Sequence, residues 1–333
     1  MKIPLLQSEL WQNLQSDLDE KTIYKKEEDY RYLAIKKTTP VGDYLYVPYG
    51  PVAKDKSAFK NALKSLKSDA KDENCVFIRI EPQDPCFIKS YPKNVKKTTD
   101  LNPKETWILD LSGSYDELKE KLPSRLLRYY KSAKKNGITI EKTHNPEDIK
   151  YLIDLQKSLA KEKGINTFSE KYLKTELAQP FATLYIVSHK EAINVDGWPS
   201  LEDPQPSYSE DGGKCEDRTR QNVIAAGLVF DDKTTRYNLQ GAQSDLGRKL
   251  HATGILTIQL IKDAKEKGLK YFDFWGIAPE NAPKNHPWAG FTSFKKTFKG
   301  EEVDYAGTYD IILKPSKYRL YSIFRKMNRI IRK

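Results

Sequence analysis

The sequence predicts a mixed α/β protein built as two domains. Short apolar and aromatic runs that read as strands alternate with segments of helical periodicity along the whole chain. The 333 residues fit two domains better than one. Hydrophobic residues make up 38%, enough for packed cores, which excludes global disorder.

Charge and cysteine usage narrow the class. Lys and Arg total 57 against 46 Asp and Glu, a net charge of +11, which favours an anionic partner such as nucleic acid, anionic lipid or a phosphorylated substrate. Cys75, Cys86 and Cys215 are odd in number and widely spaced. They form neither a disulfide framework nor a metal-ligand pattern, and a reducing compartment fits. His144, His189, His251 and His286 lie far apart, so no metal and no cofactor is expected. The N-terminus lacks the apolar core of a signal peptide, and no apolar run approaches the roughly 20 residues of a spanning helix. A cytoplasmic protein is expected.

Taken in order, Ser8 reads as the cap of a helix carrying Leu10, Trp11, Leu14 and Leu18. Residues 30–37 and 44–47 read as strands, and 56–70 as an amphipathic helix with Phe59, Leu63 and Leu66 inward. Residues 75–80 form a buried strand, and 83–104 a polar, lysine-rich connector. Residues 106–111 open the second domain. Helices over 116–121 and 124–135 are separated by Pro123, with Gly137 as a cap. The second of them carries Arg125, Arg128, Lys131, Lys134 and Lys135 with no acid among them. That stripe is either a solvated face or a track for a phosphate backbone, at even weight.

A strand at 138–140, helices at 146–163 and 168–177, and a strand at 183–188 follow. Residues 190–221, rich in Pro, Gly and acids, read as an insertion on a strand connection. A hairpin over 222–230 and 236–240 turns at Asp231-Asp232-Lys233, and one long helix spans 246–267. This alternation fits an acetyltransferase-like (GNAT) unit. A strand at 309–313 follows the stretch described next. The closing segment, 315–333, holds seven Lys/Arg and no acid, with Leu320, Ile323, Met327 and Ile330 on one helical face. It reads either as a helix packed on the first domain or as a membrane-surface helix, with packing favoured and the cationic rim turned to the membrane.

The chemistry concentrates between Tyr271 and Tyr305. The strand Tyr271-Phe272-Asp273-Phe274-Trp275-Gly276-Ile277 leads into a loop, then into Gly290-Phe291-Thr292-Ser293-Phe294-Lys295-Lys296-Thr297-Phe298-Lys299-Gly300. On a helix, Phe291, Phe294 and Phe298 share one face and anchor it, leaving Lys295, Lys296 and Lys299 to line a cationic cleft. Such a floor suits a phosphate-bearing substrate or a developing oxyanion.

The D-x-x-G-I strand end followed by this F-K-x-x-F-x-G block resembles the end of the FemABX peptidyltransferases, bacterial enzymes that move an amino acid from aminoacyl-tRNA to the stem peptide of a peptidoglycan precursor. Other stretches are similar in the same order: Leu6-Gln7-Ser8-Glu9-Leu10-Trp11, Tyr49-Gly50-Pro51, Phe77-Ile78-Arg79-Ile80-Glu81-Pro82 and Thr106-Trp107-Ile108-Leu109-Asp110-Leu111. The resemblance covers nearly the whole chain apart from 191–221. It implies two packed GNAT-like domains, a precursor-binding one at 1–104 with 306–333 and a catalytic one at 105–305 that takes the aminoacyl-tRNA end. It implies aminolysis of an ester, with Lys295 at the family's essential lysine and Phe294 beside the terminal adenine. Tyr237 matches a cleft-lining tyrosine. Glu81 matches an acid that could orient or deprotonate the attacking amine, although a carboxylate holding its turn, or pairing with Arg79, is at least as well supported. Arg79, Arg125, Arg128 and Lys299 complete the expected substrate-binding set.

Two departures bear on the acceptor. Gln15 and Phe168 stand where members acting on the soluble nucleotide precursor carry a lysine and an arginine for its phosphates. A lipid-linked precursor at the inner membrane surface gains by this. The runner-up, an acyl-CoA N-acyltransferase, needs a glycine-rich pyrophosphate turn at a helix start. Gln243-Ser244-Asp245-Leu246-Gly247-Arg248-Lys249 has the wrong spacing and an acid within it. A non-catalytic RNA- or membrane-binding module on the same fold is the third reading.

Overall fold

The computed structural model describes residues 3–90, 94–163, 167–190 and 223–331. A 3-10 turn, Leu5–Gln7, leads into α1 (Glu9–Asp17), whose cap Ser8 accepts from the Trp11 amide at 3.3 Å. Strands β1 (Thr22–Lys26), β2 (Tyr30–Lys37), β3 (Tyr44–Val47) and β4 (Val52–Ala53) precede α2 (Lys56–Asp72), capped by Asp55. Then come β5 (Phe77–Ile80), a 3-10 turn, Pro85–Ser90, and β6 (Val95–Lys97).

After β7 (Glu105–Asp110), helix α3 (Tyr115–Lys121) begins with a capping box between Ser114 and Glu117. Helix α4 (Ser124–Ser132) follows Pro123. Next are β8 (Ile138–Thr143), α5 (Ile149–Lys163), α6 (Glu170–Leu177), β9 (Ala182–His189), β10 (Val223–Asp231) and β11 (Thr235–Gln243). The chain then forms α7 (Asp245–Lys249), α8 (Ala252–Glu266), β12 (Tyr271–Gly276), α9 (Ala289–Lys296), β13 (Glu301–Asp304), β14 (Tyr309–Ile312) and α10 (Pro315–Ile331).

The strands form two sheets, ordered β1-β2-β3-β5-β14-β6, with β4 on β2, and β13-β7-β12-β11-β10-β9-β8. One motif occurs in both. An antiparallel pair is followed by a helical crossover to a parallel strand: β2-β3 then α2 then β5, and β10-β11 then α7 and α8 then β12. This is the GNAT-like arrangement that the alternation predicts.

Two compact units result, residues 1–107 with 275–295 and 301–333, and residues 108–274 with 296–300. Compared with the expected boundaries, the segment 275–295 goes with the first unit. Its start is tied there: the Ile277 amide donates to the Glu105 carbonyl at 3.0 Å, and the Trp275 ring lies 5.5 Å from that of Tyr49.

Strand periodicity explains the first core. In β5, Ile78 and Ile80 face α2, joining Phe59, Leu63 and Leu66, while Phe77 meets Tyr318 and Tyr321 of α10. Arg79 therefore shares the α10 face with Phe77. There it pairs across the ladder with Asp310 of β14, Nε to Oδ1 at 2.7 Å and the second guanidinium nitrogen to Oδ2 at 2.9 Å. Tyr318 donates to the same carboxylate at 2.8 Å. The second unit has a counterpart. Asp231 and Arg236 are ladder partners of β10 and β11, joined by two 2.7 Å hydrogen bonds.

Several expectations are corrected. The polar connector hides β6, an edge strand whose Val95-Lys96-Lys97 has no hydrophobic alternation and is ordered by pairing with β14. Likewise β1 was not anticipated; its half-buried residues are held by β2. The long helix at 246–267 is broken because His251 adopts a left-handed conformation with φ of 57°. The helix expected over 124–135 ends at Ser132 and continues as turns to Gly137, at φ 73°. Beyond Lys190, the expected insertion at 190–221 lies outside the described residues.

Two measurements test this core. Asp310→Ala strands a buried guanidinium and lowers unfolding free energy in urea by about 3–5 kcal/mol, whereas Glu147→Ala, at the exposed pair with Lys174, changes it by less than about 1 kcal/mol. Glu176 gives a pH dependence. Burial lifts its carboxyl from the ordinary 4.5 to about 8, against a hydrogen bond from Tyr172 that favours the charge. The folded state then holds a proton that the unfolded chain has released, so this group's contribution falls as pH rises from about 4.5 to about 8. Glu176→Gln removes that decline in denaturant titrations across the window.

Candidate functional site

The penultimate residue of strand β12, Trp275, is left-handed, at φ 65°. The next residue must be glycine, since a Cβ on Gly276 would lie 2.4 Å from Cγ of Pro103. The Gly276 carbonyl accepts from Lys295 Nζ at 2.6 Å. The Ala278 amide donates to Thr292 Oγ1 at 2.8 Å, tying the loop to α9 a second time. The Lys295 ammonium is thus fixed at a strand end rather than carried on a loose arm. Trp288 and Phe291 are 40% and 51% exposed, so large aromatic faces lie at the surface in the same segment.

The shared aromatic face expected of 291–298 is not formed. Phe291 is exposed, Phe294 is half-buried, and only Phe298 enters the core, 4.9 Å from the Phe274 ring and beyond the end of α9. The helix is held by Lys295 and Thr292, whose hydrogen bonds to backbone replace apolar burial. Nor is Lys299 on a cationic floor. With Lys121 it borders an open hollow of about 310 Å³ that also carries Asp110, Glu117 and Glu120.

Glu81, expected as a catalytic base, is 3% exposed and saturated with donors. Its Oε1 accepts from the amides of Leu101 and Asn102, each at 3.2 Å, and from Thr308 Oγ1 at 2.8 Å. Its Oε2 accepts from the Tyr46 hydroxyl and Asn102 Nδ2, each at 2.8 Å. Five donors use the lone pairs an incoming amine would need. Glu81 instead holds the connector between the halves of the chain, which is the turn-holding alternative; it does not pair with Arg79.

Arg79, expected to bind substrate, is 2% exposed and committed to Asp310. Burial alone would pull its pKa down, and the carboxylate more than reverses this. Tyr237 is also buried rather than cleft-lining. Its hydroxyl donates to Asp232 Oδ2 at 2.8 Å, and burial, with Asp232 beside it, holds its pKa well above the usual value.

Arg125 and Arg128 are exposed on α4. Arg125 Nε donates to the Tyr129 hydroxyl at 2.8 Å, and the Tyr129 ring stacks on His251 at 4.3 Å with planes 8° apart. A column of guanidinium, phenol and imidazole results, suited to phosphate and base contacts. Sequence reading missed His251 here, because nothing local signals its left-handed turn. Gln15 is buried, and Phe168 is 53% exposed, stacked on Tyr172 at 4.9 Å. Among the described residues no group of three or more His, Cys, Asp and Glu is gathered as metal ligands.

Residues 209–326 match the FemAB family model. No curated protein matches the chain by sequence. Among solved structures, FemX is similar over 95% of this chain and 94% of its own, with 18% identity and a TM-score of 0.72. The C-terminal domain (DUF2156) of a putative lysylphosphatidylglycerol synthetase from Agrobacterium fabrum is similar over 95% and 91%, with 14% identity and a TM-score of 0.59. L-PGS from Bacillus licheniformis is similar over 99% of both chains, with 14% identity and a TM-score of 0.56. At these identities the likeness is one of fold.

The hydrogen bonding of Glu81 predicts a structural phenotype. Glu81→Ala leaves buried donors of Tyr46, Asn102 and Thr308 unpaired, and urea titration shows a loss of about 3 kcal/mol.

Proposed function

We propose that this chain, whose residues 209–326 match the FemAB family model and whose fold is similar to that of FemX, transfers an amino acid from aminoacyl-tRNA to the stem-peptide amine of a peptidoglycan precursor. The observation that carries the reading is Lys295, in the family's F-K-x-x-F block, with its ammonium oriented by the Gly276 carbonyl.

The reaction is aminolysis of an activated ester. The acceptor nitrogen attacks the ester carbonyl carbon, the C–N bond forms, and the C–O bond to the terminal ribose breaks. The proton lost by the amine ends on the departing ribose hydroxyl. Activation already resides in the ester, so the transfer itself consumes no ATP. The protein's work is to align amine and ester and to stabilise the tetrahedral oxyanion. Lys295 supplies the positive charge for that oxyanion. Phe294, with the exposed Trp288 and Phe291, offers stacking surface to the terminal adenosine. Arg125 and Arg128 take phosphates of the tRNA, with Tyr129 and His251 stacked behind them. Lys299, exposed beside carboxylates, is assigned to the acceptor's charged groups rather than to the tRNA backbone.

The acceptor we assign is the lipid-linked precursor, bound by the first unit at the cytoplasmic side of the membrane. Gln15 is buried and Phe168 is aromatic where a nucleotide-precursor enzyme carries phosphate-binding cations.

The test is a transfer assay with a mixture of radiolabelled aminoacyl-tRNAs, offering lipid-linked and nucleotide-linked precursors separately and acetyl-CoA as a competing donor. Label passes from tRNA to the lipid-linked acceptor, and Lys295→Ala lowers the rate by about 10²–10³-fold in protein that still unfolds cooperatively above the assay temperature. Transfer from acetyl-CoA alone would overturn the proposal.

A further inference from the structure

The closing helix α10 shows opposite characters on its two faces. On the inner side, Tyr318 and Tyr321 are buried against Val76 and Phe77. Tyr318 donates to Asp310, and an Arg325 guanidinium nitrogen donates to Thr98 Oγ1 at 2.6 Å. On the outer side, Leu320, Ile323 and Met327 are 57%, 55% and 55% exposed. Their spacing of three and four puts them on one face. Exposed Lys317 lies on one flank of this stripe, and exposed Arg319 and Lys326 on the other. From Pro315 to Lys333 the chain has seven Lys/Arg and no acid.

A helix packed only for stability turns its apolar stripe inward. Here the inward contacts are aromatic and polar, and the aliphatic stripe faces out between cations. We propose that α10 is a docking helix for an anionic membrane surface. Leu320, Ile323 and Met327 enter the headgroup and acyl boundary, while Lys317, Arg319 and Lys326 reach lipid phosphates. Charge selects this occupant, since a second copy of the chain would bring two cationic rims together at the same stripe.

The inference stands on the helix alone. Its test contains no precursor and no tRNA, so failure here leaves the transferase reading standing, and failure there leaves this one. The full chain is sedimented with vesicles of phosphatidylglycerol and phosphatidylcholine in equal parts, and with phosphatidylcholine alone, at low and high salt. Binding to the anionic vesicles is about tenfold stronger than to the neutral ones and weakens as salt rises. Leu320→Ser/Ile323→Ser/Met327→Ser reduces it about tenfold with unchanged melting, and Lys317→Gln/Arg319→Gln/Lys326→Gln removes the salt dependence. Binding that ignores lipid charge, or survives the serine substitutions in the folded protein, overturns the proposal. So does a self-association, seen by sedimentation, that those substitutions abolish without any vesicle binding.

Discussion

The Arg79–Asp310 pair sets the frame of the first unit. Burying two charges costs several kcal/mol per ion, which only close geometry and further hydrogen bonds offset. Both conditions are met, by the two-point contact and by the Tyr318 hydroxyl. The pair also fixes register. A slip of β14 by one residue would put Ile311 opposite Arg79 and strand both charges among aromatic rings. Arg236 and Asp231 impose the same restriction on β10 and β11.

From that pair the constraint passes to the site through neighbours in one unit. Arg79 fixes β5, and Glu81 leaves the strand two residues later. Its carboxylate gathers the amides of Leu101 and Asn102, so Pro103 is placed by the next peptide. The Tyr49 hydroxyl holds the Pro103 carbonyl at 2.8 Å. The Pro103 ring leaves room only for a glycine at 276, and the carbonyl of that glycine aims Lys295. A lysine aimed in this way loses less freedom when charge develops beside it than one on an open helix face.

Much of the fold was legible in the sequence because it is written in local periodicity. The cap Ser8, the alternation in β5 and the inward row of α2 are properties of neighbouring residues. The site was less legible because its residues are defined by distant partners. Arg79 and Glu81 stand at a strand end, where functional groups often sit. What removes them from the chemistry is Asp310, Asn102 and Thr308, which no single stretch of chain reveals. Phe291 and Phe298 share a helical period, but α9 stops at Lys296, so the period does not carry them to one surface. Lys295 is singled out by its motif, whereas its hydrogen bond to Gly276 has no local sign in the sequence.

The place of β14 has a consequence for biosynthesis. It lies between β5 and β6, yet 231 residues separate Asp310 from Arg79. At about 5–20 residues added per second, β5 waits roughly 10–50 seconds on the ribosome for its neighbour. In that interval its edge is open and its arginine lacks a counter-ion, while residues 108–274 of the second unit emerge as one unbroken stretch. The first unit is begun before the second and completed after it, and the nascent chain carries an unpaired strand edge, with its hazard of wrong pairing, until β14 emerges.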